Sequence, residues 1–468
     1  MKPFINYFWD NAILPTLKEY IHIPNKSPHF DSAWQQNGYM KQASDLLVDW
    51  CKKYSPPDFI IETIELTNRT PIIFIDIPGD NNETILLYGH FDKQPEMTGW
   101  DKDLHPWKAV LKEDRLYGRG SADDGYAIFA SLAAILSLKE QKISHARCVI
   151  LIESCEESGS YDLPYYIQAL QHRIGNPNFI ICLDSGCGNY QQLWVTTSLR
   201  GLTNGTLSIE VLSQGIHSGK GSGIVPGGFQ ILRQLLSRIE KETTGEILLK
   251  DLYVPIPPAR LEQARHAAEI LGDDIHQSLH LQAKPLTTKA FDLILNHTWR
   301  PALAIIGCDG IPAIQDAGNV ILPKIEFKLS LRLPPTCHAE KAARLLKTTL
   351  ESHPPYQAKI HYEISDTASG WNALETSPWL TEAINNASLT YFNHPAAYMG
   401  EGGSIPFMGM LGQQFPEAQF LITGLLGPES NAHGPNEFLH IPTAKKLTHC
   451  ISDVIKDHFK RYIMKGKV

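Results

Sequence analysis

Short apolar runs that stop on a histidine or an acid recur along this chain. Ile85, Leu86 and Leu87 form one, closed by Gly89, His90 and Asp92. Cys148 to Ile152 form a second, with Glu153, Glu156 and Glu157 behind it. The run from Phe179 ends on Asp184, and the run Phe420–Ile422 is followed by His433. Unbroken runs of this length read as strands buried on both faces. Phe59–Leu66 and Pro71–Ile77 read as further strands, with Gly79 to Asn82 as a turn. Between the strands the period changes to that of a helix, over 3–22, 32–54, 126–138, 377–388 and 442–463. Buried strands alternating with helices predict an α/β fold, a mostly parallel sheet flanked by helices. In such sheets ligands sit beyond the carboxyl ends of the strands.

Near Thr197 the pattern changes. Leu202–Leu212 and Lys324–Arg332 alternate apolar and polar residues, as half-buried strands do. A Gly/Ser-rich loop around His217 lies after the first of them. Helices are predicted at 226–240, 259–271 and 338–352, and strands at 319–333 and 357–364. This α+β stretch reads as a second domain, 198–368, inserted into a first made of 1–197 and 369–468. In the returning segment the glycines of Gly400–Pro406 open another helix, where backbone N–H groups make an anion site.

Composition narrows the class. The 468 residues are 43% apolar and 20% charged, the balance of a globular protein. The net charge is −8 with no long basic cluster, which argues against a nucleic-acid partner. The eight cysteines are scattered without a CxxC pair and several sit in apolar runs, so they read as reduced thiols of a cytoplasmic protein. No apolar run reaches the roughly 20 residues of a membrane span, and no signal peptide is visible. Gly118 and Gly120 lack the third glycine of a dinucleotide fingerprint.

The candidate chemistry lies at the strand ends. His90 and Asp92 share one face of an extended chain. Asp123 and Asp124 precede a helix, where a single Asp suffices as a cap. Carboxylates gathered with histidines call for a cation, because packed like charges repel. Imidazole and carboxylate ligands without cysteine suit zinc, and also manganese or cobalt. Two histidines and three or more acids exceed the needs of one catalytic zinc. They suit a pair of metals about 3.5–4 Å apart with a bridging carboxylate and a shared water of pKa about 7. Glu156, beside Glu157, is the natural general base.

The ordered motifs Gly-His-Phe-Asp, Tyr-Gly-Arg-Gly-x-x-Asp-Asp, Glu-x-x-Glu-Glu-x-Gly-Ser, Asp184, Gly-x-His-Ser-Gly, Glu-Gly-Gly-Ser-Ile-Pro and His433 resemble the di-zinc exopeptidase family. That family holds aminoacylase, glutamate carboxypeptidase, succinyl-diaminopimelate desuccinylase and the carnosinase-type cytosolic dipeptidases. The resemblance runs from about residue 80 to 440. It implies two divalent ions, zinc first, held by His90 and Asp184 on one side and by Glu157 and His433 on the other, with Asp123 bridging. It implies that Asp92 orients His90 and that Glu156 is the base and later the acid. His217 would stabilise the oxyanion, in many relatives from the partner subunit of a dimer, which makes the insert a lid and dimerisation domain and the protein a homodimer. Asn319, Arg332, Gly403 and Ser404 would grip the substrate's free carboxylate.

One departure stands out. Relatives usually carry Asp-Asp-Lys-Gly where this chain has Asp123, Asp124, Gly125 and Tyr126. Gly-His-Phe-Asp-Lys-Gln-Pro, Trp299-Arg300-Pro301 and Glu401-Gly-Gly-Ser-Ile-Pro are most similar to the dipeptidase branch. The expectation is metal-dependent hydrolysis of dipeptides or short peptides. A deacylase of N-acyl amino acids with the same chemistry is the enzyme alternative, and an inactive dimeric scaffold is the non-enzyme one.

Overall fold

A computed structural model describes residues 2–465 apart from 278, 280 and 405. Ile405, inside the predicted glycine loop, lies outside the described residues. The chain forms two compact units, one of residues 1–196, 373–398 and 410–468, the other of 197–372 and 399–409. Residues 399–409, which the sequence reading leaves in the first domain, group with the second unit.

The first unit is built on one sheet. Its strands run in the order Ile60–Ile64, Ile72–Ile77, Arg147–Glu153, Thr84–His90, Phe179–Cys182, Gln419–Ile422 and Trp194–Leu199. The four from Arg147–Glu153 to Gln419–Ile422 are parallel, and the flanking strands are antiparallel. Ile85, Leu86 and Leu87 are fully buried, as the unbroken run predicts. The helix Ala127–Glu140 is buried almost all round, which explains its uniformly apolar sequence. It packs on the central strands and is covered in turn by Lys2–Phe8 and the C-terminal helix Ile441–Lys465.

Two predicted helices are interrupted for local reasons. In the stretch 3–22, a π turn at Trp9–Ile13 separates Lys2–Phe8 from Leu14–Ile21. Pro15 has no N–H to donate and crowds the turn before it, so the chain widens there. In the stretch 32–54, Gly38 takes a left-handed φ of 71° and divides Trp34–Asn37 from Tyr39–Tyr54.

The second unit carries an antiparallel sheet in the order Ala302–Asp309, Lys324–Leu333, Gly201–Glu210, Lys359–Ala368. Burial alternates strictly along Gly201–Glu210. Helices Gly228–Leu236 and Ala339–Glu351 contribute to the core on the buried face. The predicted strand at 319–333 is divided into Val320–Ile321 and Lys324–Leu333, because Pro323 cannot donate to a ladder. Ala302–Asp309 escapes sequence detection: it is an edge strand, exposed from Ala304 onward, and lacks the alternation of its neighbours.

Candidate metal centre

Because the central strands are parallel, their carboxyl ends lie on one side, and the site in the first unit forms there. His90 is the last residue of Thr84–His90. Glu156 and Glu157 sit in a single helical turn after Arg147–Glu153, and Asp184 follows Phe179–Cys182. Asp123 comes from the loop leading into helix Ala127–Glu140, and His433 from the loop after Gln419–Ile422.

Ligand atoms of His90, Asp123 and Asp184 lie within 4.8 Å of one another, and so do those of Asp123, Glu157 and His433. Asp123 belongs to both groups. One of its carboxylate oxygens is 3.2 Å from His90 Nε2 and the other 3.1 Å from His433 Nε2. His90 Nε2 is also 3.8 Å from Asp184, and His433 Nε2 is 3.3 Å from Glu157. His433 is the exposed member and marks the open side.

Asp92 does two things at once. Its backbone carbonyl is 3.1 Å from His90 Nδ1 and its carboxylate 3.4 Å away, which suits the ring-orienting role. The carboxylate also accepts the backbone N–H groups of Glu156 at 3.1 Å and of Glu157 at 3.0 Å. The same side chain therefore fixes the turn that presents both glutamates.

Several supporting residues were missed in the sequence. Arg119 and Glu437 form a buried ion pair at 2.8 Å. Glu437 accepts the N–H groups of Gly120, Ala122 and Asp123, while Arg119 donates to the carbonyls of His433 and Gly434. Gln94 donates to Glu157 at 2.5 Å. Arg119 stood inside the Gly-Arg-Gly motif, a signal that could have found it. Lys93 is fully buried, donates to the carbonyls of Tyr20 and Ile23, and stands 3.8 Å over the Tyr20 ring. A side chain at Gly125 would strike that ring, so Tyr20 fills the space beside the departure from the usual Asp-Asp-Lys-Gly.

The electrostatics describe acids short of positive charge. Burial, then the charge of Asp184, raises the Glu156 carboxyl well above the usual carboxylate range. Burial and Asp123 raise Glu157, and burial raises Asp184. Burial works against a charged His90, yet the hydrogen bonds to Asp123 and Asp92 outweigh it and raise its pKa. The same balance, with Asp123 and Glu157 as the acids, raises His433. In the absence of a cation the histidines thus act as the counter-charge. Two nitrogens and three carboxylates, converging with one carboxylate shared, fit a pair of divalent cations.

The remaining predicted residues lie in the second unit, in two places. His217 pairs with Val320 in the short ladder of Ile216–His217 with Val320–Ile321, and Ser218 N–H donates to the carbonyl of neighbouring Asn319. Arg332 donates to Ser404 Oγ at 3.2 Å. Gly403 lies between Gly402 and Ser404 in the loop that precedes helix Pro406–Gln414. The structure therefore joins His217 with Asn319 and Arg332 with Ser404. It keeps the pairs apart: from Lys324 to Arg332 the extended strand alone spans roughly 26 Å.

The model of peptidase family M20/M25/M40 matches residues 86–457. The cysteinylglycine-S-conjugate dipeptidase of Corynebacterium striatum is 26% identical over 386 residues, covering 80% of this chain and 82% of that protein. The Cys-Gly metallodipeptidase of Saccharomyces cerevisiae is 27% identical over 392 residues, 79% of this chain and 78% of that one. The human Beta-Ala-His dipeptidase is 24% identical over 383 residues, 78% and 73% of the two chains. The crystal structure of human carnosine dipeptidase 1 superimposes with a TM-score of 0.78 at 21% identity, covering 98% of both chains. An M20 family metallo-carboxypeptidase from Sulfolobus solfataricus gives 0.77 at 20% identity, covering 95% of this chain and 98% of that one.

Proposed function

Since this chain belongs to peptidase family M20/M25/M40, we propose that it is a metal-dependent dipeptidase that cleaves the peptide bond of dipeptides or short peptides. The observation that carries this reading is Asp123, shared between two ligand groups in a chain whose similar relatives are named dipeptidases. None of those relatives is named for N-acyl substrates, so the deacylase alternative falls behind. His90, Asp123 and Asp184 would hold one divalent ion, and Asp123, Glu157 and His433 the other, with zinc first and manganese or cobalt next. When bound, the ions supply Lewis acidity and lower the pKa of water in the site.

The chain's own groups do the rest. Glu156 takes the proton of the attacking water and returns it to the leaving amine; burial and the charge of Asp184 raise its carboxyl above the usual carboxylate range. Asp92 keeps the His90 ring and the Glu156 turn in place. His217 stabilises the oxyanion, and Arg332, Gly403 and Ser404 grip the free carboxylate, to which Asn319, lying beside His217 rather than Arg332, would be added from the second subunit. Arginine's fork suits that task.

The inserted unit serves as lid and dimerisation unit of a homodimer. This is supported by Ala302–Asp309, an edge strand with Ile305 and Ile306 about half exposed, at 48% and 55%. Such an edge invites a second copy. No disulfide joins the eight cysteines, in keeping with a cytoplasmic enzyme. Among the described residues no helix is long and apolar enough to cross a membrane.

The test is hydrolysis of a dipeptide panel and an N-acyl-amino-acid panel by metal-stripped protein, before and after adding zinc, manganese or cobalt. Metal-restored dipeptide cleavage is expected, with Glu156→Gln reducing kcat by about 10²–10⁴ at unchanged metal content. Cleavage of N-acyl substrates alone would overturn the dipeptidase reading. Stoichiometric metal with no hydrolysis of either panel would leave only the scaffold.

A further inference from the structure

In the second unit a second arginine stands behind the loop that Arg332 touches. Arg200 is 8% exposed. Its Nε donates to the Gly402 carbonyl at 3.1 Å and its Nη1 to the Asn296 carbonyl at 3.3 Å. Its own N–H donates to the Glu401 carbonyl at 3.3 Å, and its own carbonyl accepts the Ser404 hydroxyl at 2.5 Å. Arg200 thus fastens the loop on both sides of Gly403.

The Ser404 hydroxyl has one proton, and it goes to the Arg200 carbonyl. Its oxygen is then left to accept from Arg332 Nη1. The result is a relay from Arg332 through Ser404 to Arg200, in which both guanidinium groups belong to one small region. Neither guanidinium has a carboxylate within ion-pair distance among the described residues, whereas buried charges are ordinarily paired. The nearby acid, Glu401, is occupied: it accepts the N–H of Gly402 at 2.9 Å and lies 3.5 Å from His297. At Gly402 a Cβ would fall 2.3 Å from the His297 ring, so a side chain there would have to displace that ring. Burial and the repulsion of Arg332 both make the Arg200 charge costly, and its pKa falls to about 10. Glu401 offsets part of the Arg200 charge, and no carboxylate lies within ion-pair distance of Arg332 among the described residues, so a loop backed by two cations and one shared acid is suited to receive an anion.

We propose that Arg200 is a positioning residue for carboxylate recognition: it locks the Gly402–Ser404 loop and adds a second positive charge behind Arg332, so that the site selects substrates ending in a free α-carboxylate. This rests on the reading of Arg332 and Ser404 as the carboxylate-gripping pair. Arg200 itself touches backbone carbonyls and acts through Ser404 and Arg332.

The experiment uses two probes that differ only in the anion, N-acetylglycine and N-acetylglycinamide, bound calorimetrically to the full-length metal-loaded protein. It is paired with steady-state kinetics on a dipeptide and on the same dipeptide as its C-terminal amide. Wild type is expected to prefer the carboxylate of each pair. Arg200→Met should weaken carboxylate binding and raise KM for the free dipeptide by about tenfold or more, the scale of a charge-assisted contact. It should leave kcat, and both amide measurements, nearly unchanged. Arg200→Lys, which keeps the charge, should fall between, and it covers the case in which the methionine variant does not fold. Equal losses on carboxylate and amide would show a merely structural residue and overturn the proposal, as would a carboxylate preference that both variants retain. A wild-type protein with no carboxylate preference would overturn the reading of Arg332 and Ser404, and the proposal with it.

Discussion

Arg119 and Glu437 face each other at 2.8 Å, both at most 1% exposed, and between them they hold the two segments that carry Asp123 and His433. Glu437→Gln leaves a buried guanidinium without its counter-charge. The expected loss of stability is about 3–5 kcal/mol, measured by denaturant unfolding of the metal-free protein. Affinity for the cation near His433 should fall by roughly 10–100-fold, the scale of a ligand-supporting contact. Unchanged stability and metal content in this variant would remove the pair from the support of the site.

Metal uptake should release protons. Without a cation, burial and neighbouring acids hold protons on Glu157 and Asp184, and neighbouring carboxylates hold one on His433, above their ordinary ranges. Ligands coordinate only when deprotonated. Zinc affinity should therefore rise with pH between about 6 and 9, and the calorimetric enthalpy of binding should vary with the ionisation enthalpy of the buffer. Binding that releases no protons would contradict the assignment of these ligands.

Glu153 offers a separate pH test. It ends its strand turned inward, accepting the Tyr88 hydroxyl at 2.6 Å and the Ser160 hydroxyl at 2.9 Å. Burial, with the charge of Asp92, pushes its carboxyl up to about 7 against an unfolded value of 4.5. A folded pKa above the unfolded one gives stability that is complete below about pH 4.5 and lost as pH rises through about 7. Glu153→Gln stays neutral throughout. Between pH 5 and pH 8 the metal-stripped wild type should lose stability relative to this variant by an amount on the order of 3 kcal/mol. Parallel stability–pH curves would show that Glu153 titrates normally.

Ile306→Lys places a charge on the exposed edge strand. If a second copy covers that edge, the variant should sediment as a monomer with its secondary structure intact. A dimer unaffected by the lysine would point to another face.

The parts most legible in the sequence were those whose burial is uniform. Ile85–Leu87 and Phe179–Leu183 are apolar without interruption because the central strands are covered on both faces, so the polar residue ending each run stood out. That contrast made His90 and Asp184 nameable. Arg119, Glu437 and Arg200 were not nameable in this way. Each is a single charged residue whose meaning comes from partners distant in the chain; Arg119 and Glu437 are 318 positions apart. Ala302–Asp309 was missed because exposure on an edge erases the alternation that marks a half-buried strand. The helix boundaries at Pro15 and Gly38 depended on a single missing N–H and a single left-handed backbone, local features that hydrophobic period alone does not register.

The separation of His217 and Asn319 from Arg332 and Ser404, at opposite ends of Lys324–Leu333, bears on how active sites are counted. If one substrate needs both pairs, one chain does not bring them together through this unit, and in the proposed homodimer the unit of activity would be the pair of subunits. Each site would then be a hybrid drawn from two chains. Mixing His217→Ala subunits with Glu156→Gln subunits would rebuild one intact site in every mixed dimer, so two dead proteins combined in one tube would regain a turnover that neither has alone.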